Sequence, residues 1–152
     1  MTRVDFYHLQ KKTLDEVLPV LLQKAYATGK RIKIKIGTEE RVEFINSLLW
    51  TYNDESFLPH GSKKDGFAEQ QPIWLSADSD NPNGAAFLFL VDGAEEQPDN
   101  LQNFERVFNI FDGNSETALQ QARRLWKDYK NSDCEVYYWQ QNNNGKWEQK
   151  AG

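Results

Sequence analysis

Four basic side chains crowd one tryptophan in ARRLWKDYK, residues 122–130, where Arg123, Arg124, Lys127 and Lys130 meet a single acid, Asp128, around Trp126. Helical residues three and four apart are neighbours, so Arg123, Lys127 and Lys130 form a stripe beside the apolar face of Ala118, Ala122, Leu125 and Tyr129. Trp126 falls on the border between the two. An indole edged by cations can floor a small apolar pocket while guanidinium and ammonium groups hold an anion, the chemistry that captures acidic peptides and terminal carboxylates. The plainer alternative is a solvated helix face whose cations favour the C-terminal end of the helix dipole.

The local charge contrasts with the whole chain, which carries a net charge of −5 and has a pI near 5.1. Of 18 Lys and Arg, 11 lie between Arg3 and Lys64, whereas nine acids and only Arg106 as a base lie between Asp78 and Glu116. A protein that coats duplex DNA needs a broad basic excess to neutralise phosphates, and this chain has none.

Other chemistries lack their residues. No G-x-G-x-x-G follows a strand and no G-x-x-x-x-G-K-[ST] occurs, so no glycine loop cradles phosphates. Two histidines and one cysteine give no zinc spacing. His8 reads as a packed side chain and His60 as a turn residue. Asp78 and Asp80 start like a calcium loop, but Pro82 breaks the pattern and a solvated turn fits better. No nucleophile–base pair can be argued from spacing. No cofactor or metal is expected.

The elements that must position the basic stripe follow from periodicity. RVDFYHL (3–9) alternates as a strand; Thr13 with Glu16 makes a capping box for a helix carrying Leu14, Val17, Leu18, Leu21, Leu22 and Ala25, ending at Gly29. RIKIKIG (31–37) predicts a strand whose Lys33 and Lys35 point away from the isoleucines, as at an exposed or edge position. A second helix runs from Thr38 to about Trp50, and residues 53–71 form a loop by composition. PIWLS (72–76), AAFLFLVD (85–92) and ERVFNIFD (105–112) are strands, with a turn at 77–84 and an acidic loop at 93–100. Ser115 caps the helix of the basic stripe, and EVYYWQQNNNGKWEQK ends the chain as a strand or a hairpin turning at Asn144-Gly145. The order β-α-β-α-β-β-β-α-β implies one α/β layered domain with a mostly parallel sheet flanked by helices, its residues 141–152 free to fray.

At 152 residues the chain suits one domain. It lacks a signal-like start and any run of 18 apolar residues, which together with a lone Cys134 predicts a cytoplasmic protein.

Taken in order, SLLWTYNDESFLPHG (47–61), PIWLS, FLFLVD (87–92), FERVFNIFD (104–112) and ARRLWKDYK resemble the chi subunit family of bacterial DNA polymerase III holoenzyme, from Phe6-Tyr7 to the last long helix. The resemblance implies a Rossmann-like fold without activity of its own, acting as an adaptor, monomeric or in a heterodimer. One surface would grip the acidic C-terminal tail of single-stranded DNA-binding protein; another would bind the psi subunit, which connects to the clamp loader. Carried across, the tail site takes Arg123, Trp126, Lys127 and Lys130, with Phe111 from the preceding strand and Trp50 from the second helix. The family's basic residue one turn earlier stands here as Leu119, which leaves the cation cluster either smaller or shifted toward Arg124. The SFLP stretch places Phe57 and Pro59 at the psi contact. Direct binding of single-stranded DNA, stacked on Trp126, and a small nucleotide-binding α/β protein remain as alternatives.

Overall fold

In the computed structural model, residues 1–52 and 58–151 are described. Strand β1 (Thr2–Leu9) turns Val4 and Phe6 to one layer and Tyr7 and Leu9 to the other, as its alternation predicts. Helix α1 (Leu14–Tyr26) starts where the Glu16 carboxylate accepts from the Thr13 N–H at 3.1 Å, and it buries Val17, Leu18, Leu21, Leu22 and Ala25. It stops short of Gly29, whose φ of +84° completes the turn that a side chain would strain. Strand β2 (Ile32–Ile36) follows, then α2 (Glu39–Thr51), whose first turn is capped by the Thr38 hydroxyl accepting from Arg41 N–H.

The remaining elements are β3 (His60–Gly61), β4 (Ile73–Ser76), β5 (Phe87–Val91), the short α3 (Pro98–Leu101), β6 (Arg106–Asp112), α4 (Glu116–Lys130), β7 (Cys134–Gln141) and β8 (Trp147–Ala151). They build one eight-stranded sheet in the order β3-β4-β2-β5-β6-β1-β7-β8, parallel throughout except for the β7–β8 hairpin. The α/β class with a mostly parallel sheet therefore stands as expected.

Two cores sandwich the sheet. On one face α1 and α2 pack their apolar stripes on Ile32, Ile34, Ile36, Phe89, Phe108 and Ile110. On the other, Ala122, Leu125 and Tyr129 of α4 pack on Val4, Phe6, Val107, Phe111 and Val136. The apolar run of β5 splits between them, Phe87, Phe89 and Val91 against Leu88 and Leu90, because successive strand residues point to opposite faces.

Three local expectations are corrected. Strand β2 is not at an edge: it lies between β4 and β5, and Lys33 is only 1% exposed. Its ammonium donates to the carbonyls of Asp78 and Asp80 and to the Asp80 carboxylate at 2.6–3.0 Å, while Lys35 bonds Glu96 and the Glu95 carbonyl. The lysines thus fasten the loops that cover β2 where no helix does. Burial, resisted by Asp80, lowers the Lys33 pKa. His60 is no turn residue but a buried one, its ring nitrogens held by the carbonyls of Leu58 and Asn46. The C-terminal segment is paired rather than frayed: Gln141 faces Trp147 and Tyr138 faces Ala151, around a turn in which Gly145 takes φ +78°.

Candidate functional site

Helix α4 begins where the Ser115 hydroxyl accepts from Ala118 N–H at 3.2 Å. Its rotation about its own axis is set by Ala122, Leu125 and Tyr129, all buried. The Tyr129 hydroxyl donates to the Glu96 carbonyl at 2.7 Å, and burial raises its pKa. With that stripe facing the sheet, Trp126 emerges half-buried at the flank nearest β7.

There it meets an aromatic wall. The Trp126 ring lies edge-on to Phe6 at 5.6 Å and to Tyr138 at 5.7 Å, centroid to centroid. Phe111 stands 5.1 Å from His8 and 6.1 Å from Tyr138. These residues assemble because β6, β1 and β7 are neighbours in parallel register: Phe6 faces Tyr138 across one ladder and His8 faces Phe111 across the other. His8 Nδ1 and the Tyr138 hydroxyl are hydrogen-bonded at 2.5 Å. Such edge-to-face rings keep their geometry and add to area burial.

Cations border the wall. The Arg123 and Lys127 side chains are exposed, and neither makes a hydrogen bond or ion pair among the described residues. Arg123 is felt electrically: burial first, and then its charge, lower the His8 pKa against the pull of Asp112. The Tyr138 phenol is raised by burial and eased back by Arg123. The Lys130 ammonium sits 5.4 Å from the Trp126 ring centroid, within cation–π reach. The result is an apolar patch bordered by two uncommitted cations, Arg123 and Lys127, with Asp112 the acid nearest to its His8 end. His8, Phe6 and Tyr138 were missed from sequence; the inward alternation of β1 and β7 is the signal that could have placed them together.

Two expected members are not brought to this place. Trp50 lies near the end of α2, on the opposite face of the sheet, its ring tilted against that of His60, the first residue of β3, at 4.1 Å. Strand β3 stands four strand spacings from β6, about 19 Å at ~4.8 Å each, so Trp50 shares no wall with Trp126. Arg124 turns to the other flank of α4 and is ion-paired with Glu95, which Gln121 also binds; the Glu95 pKa is lowered by both. Leu119 packs against the α4 core, so no basic group replaces it toward Arg123. Pro59 is half-buried beside β3, and Phe57 lies outside the described residues.

One glycine governs the wall. A Cβ on Gly113 would fall 2.0 Å from the His8 ring and 2.4 Å from the Leu9 carbonyl oxygen, so something must move. Gly113→Ala is expected to lower stability by about 1–3 kcal/mol, as overpacking does, and to shift the His8 ring resonances; thermal unfolding and NMR check it.

Among the described residues, no three or more His, Cys, Asp and Glu side chains gather to hold a metal, and no helix is long and apolar enough to cross a membrane. Comparison with known proteins adds to this. The family described as DNA polymerase III chi subunit, HolC, matches residues 1–137. "Probable DNA polymerase III subunit chi" of Rickettsia prowazekii is 27% identical over 117 residues, 74% of this chain and 71% of that protein. "DNA polymerase III subunit chi" of Pseudomonas aeruginosa is 28% identical over 127 residues, 82% of this chain and 85% of that protein. With the family profile spanning nearly the whole parallel sheet that builds the aromatic wall and its basic helix, the chain belongs to the DNA polymerase III chi subunit family.

Proposed function

We propose that this chain is a non-catalytic accessory subunit that binds the acidic C-terminal tail of single-stranded DNA-binding protein and ties it to the replicative polymerase in the cytoplasm. The observation that carries the reading is the half-buried Trp126, walled by Phe6 and Tyr138, beside an Arg123 and a Lys127 that pair with no acid among the described residues. In this reading the tail's terminal aromatic residue rests on Trp126, Tyr138 and Phe111. Its carboxylate meets Arg123, and upstream acids meet Lys127 and Lys130. Burying a phenylalanine contributes ~2–3 kcal/mol and a charge-assisted Arg–carboxylate bond ~1.5–3 kcal/mol. Ordering the tail offsets much of this, which leaves a Kd of about 1 μM, and several tails on one oligomer raise occupancy through effective concentration.

The adaptor reading needs a second surface. The edge around β3 supports one: Trp50 is 53% exposed and Phe67, in the loop that follows, 74%. Pro59 borders it, and this edge is the place we assign to the psi subunit, and through psi to the clamp loader. The tail reading is tested by fluorescence titration with a labelled tail peptide and the same peptide lacking its last residue. Affinity is expected to fall at least about 10-fold on truncation and to weaken with salt. Equal binding of the two peptides, or tighter binding of a bare single-stranded oligonucleotide at physiological salt, sinks it.

A further inference from the structure

A crevice of about 640 Å³ opens at the carboxyl ends of β1, β5 and β6. The topology creates it: β1 runs into α1 on one face and its neighbour β6 into α4 on the other, so the chain parts and leaves a gap. Open α/β sheets hold ligands at such a switch point, and the volume is ordinary for a small-molecule site. The aromatic patch under Trp126 lies on the opposite flank of α4, with only Phe111 bordering both, so tail binding leaves the crevice unused.

The floor holds an anomaly. Asn109 interrupts the apolar run VFNIF of β6, is 5% exposed, lines the crevice beside Leu90, and its amide makes no hydrogen bond among the described residues. The amide is not sealed off: its polar atoms open on the crevice, so a ligand group that reproduces the hydrogen bonds of the solvent there can take its place. An amide offers a donor and an acceptor side by side, the pattern that matches the edge of a purine base. Leu90, Ala94 and Phe111 supply apolar walls for the ring.

The mouth is of different character. The first turns of α1 and α4 both open there, and the backbone N–H groups of Leu14, Asp15, Glu116 and Thr117 have no acceptor among the described residues. Lys11 and Lys12 line the same rim without an ion pair, whereas Arg41 is held by Asp92 at 2.8 Å and by Asp15 at 3.9 Å, and the third aspartate of the lining, Asp112, accepts from the Asn114 N–H at 2.9 Å. Free N–H groups at two helix starts with two spare ammonium groups favour a phosphate.

We propose that this crevice binds a purine nucleoside phosphate, its base on the Asn109 amide and its phosphate between the starts of α1 and α4 beside Lys11 and Lys12. The test is an NMR titration of the isotope-labelled full chain with AMP, adenosine and inorganic phosphate. AMP should shift the Asn109 side-chain amide and the Asp15 and Thr117 N–H signals saturably, with adenosine and phosphate each at least about 10-fold weaker. Asn109→Leu should weaken AMP about 10-fold, and the surface pair Lys11→Gln with Lys12→Gln about 5-fold, cutting its advantage over adenosine by the same factor. Arg123→Ala should leave AMP binding unchanged, which separates this site from the tail site. No saturation by about 10 mM AMP, equal binding by phosphate alone, or unaltered AMP affinity in the lysine double variant overturns the assignment.

Discussion

Asp5→Ala is expected to lower the unfolding free energy by about 3 kcal/mol, or roughly 6–12 °C in Tm for a chain of this length. The Asp5 side chain has no exposure, and its carboxylate accepts from Arg3, from Arg106 Nη2 at 2.8 Å and from the Trp139 indole N–H at 2.9 Å. It therefore ties β1 to both of its neighbours, β6 and β7, inside the sheet. Removing it leaves two guanidinium groups facing one another and an indole N–H without its acceptor. Breaking a buried pair costs ~3–5 kcal/mol; the lower figure applies because both arginines are more than a third exposed and water can reach them. Burial alone would raise the Asp5 pKa, but the bonds from Arg3, Arg106 and Trp139 outweigh it and hold the group below its ordinary 3.8. A folded pKa below the unfolded one contributes stability that is whole above the unfolded value and lost as pH falls through the folded one. Wild-type stability should thus drop in acid below about pH 4, and Asp5→Asn should flatten that slope. Urea unfolding between neutral pH and about pH 2 measures both, and a slope undiminished in Asp5→Asn refutes the account, since Glu95 and Asp65 keep a part of it in either protein.

Arg123→Ala is expected to weaken the tail peptide about 10- to 100-fold, the loss of one charge-assisted contact. The substitution breaks no side-chain hydrogen bond or ion pair among the described residues, and its effect on the wall itself is confined to the charge felt by His8 and Tyr138. Lys127→Ala should cost less, about 2- to 5-fold, since an exposed ammonium is screened. Arg124→Ala should change affinity little, because its guanidinium is engaged by Glu95 on the far flank. Fluorescence titration of the three variants ranks them, and an Arg124 effect larger than that of Arg123 would place the anion on the wrong side of α4.

Much of the fold was legible because its elements carry clean periods: the α1 stripe, the Thr13 and Ser115 caps, the unbroken FLFLV of β5 and the Asn144-Gly145 hairpin. What escaped was what periodicity cannot encode. Alternating lysines in IKIKI read as solvated because ammonium groups rarely find enough carbonyls inside a protein; here the 77–84 turn and the 93–96 loop provide them. The two-residue β3 and the four-residue α3 are too short to show a period. The basic stripe and Phe111 were readable one element at a time. Trp50 was misplaced because a stripe's spacing does not say which face of the sheet its helix will cover, a matter decided by crossover handedness and strand order. For the same reason Phe6, His8 and Tyr138 could not be grouped before β1 was known to lie between β6 and β7.

The ammonium sequestered under the 77–84 turn gives the molecule an internal clock. Amine-reactive reagents will modify the surface lysines freely yet spare Lys33 while the Asp78 and Asp80 carbonyls hold it. The appearance of acylated Lys33 in a mass spectrum then counts the moments at which that loop lifts from the sheet, with no probe grafted onto the protein.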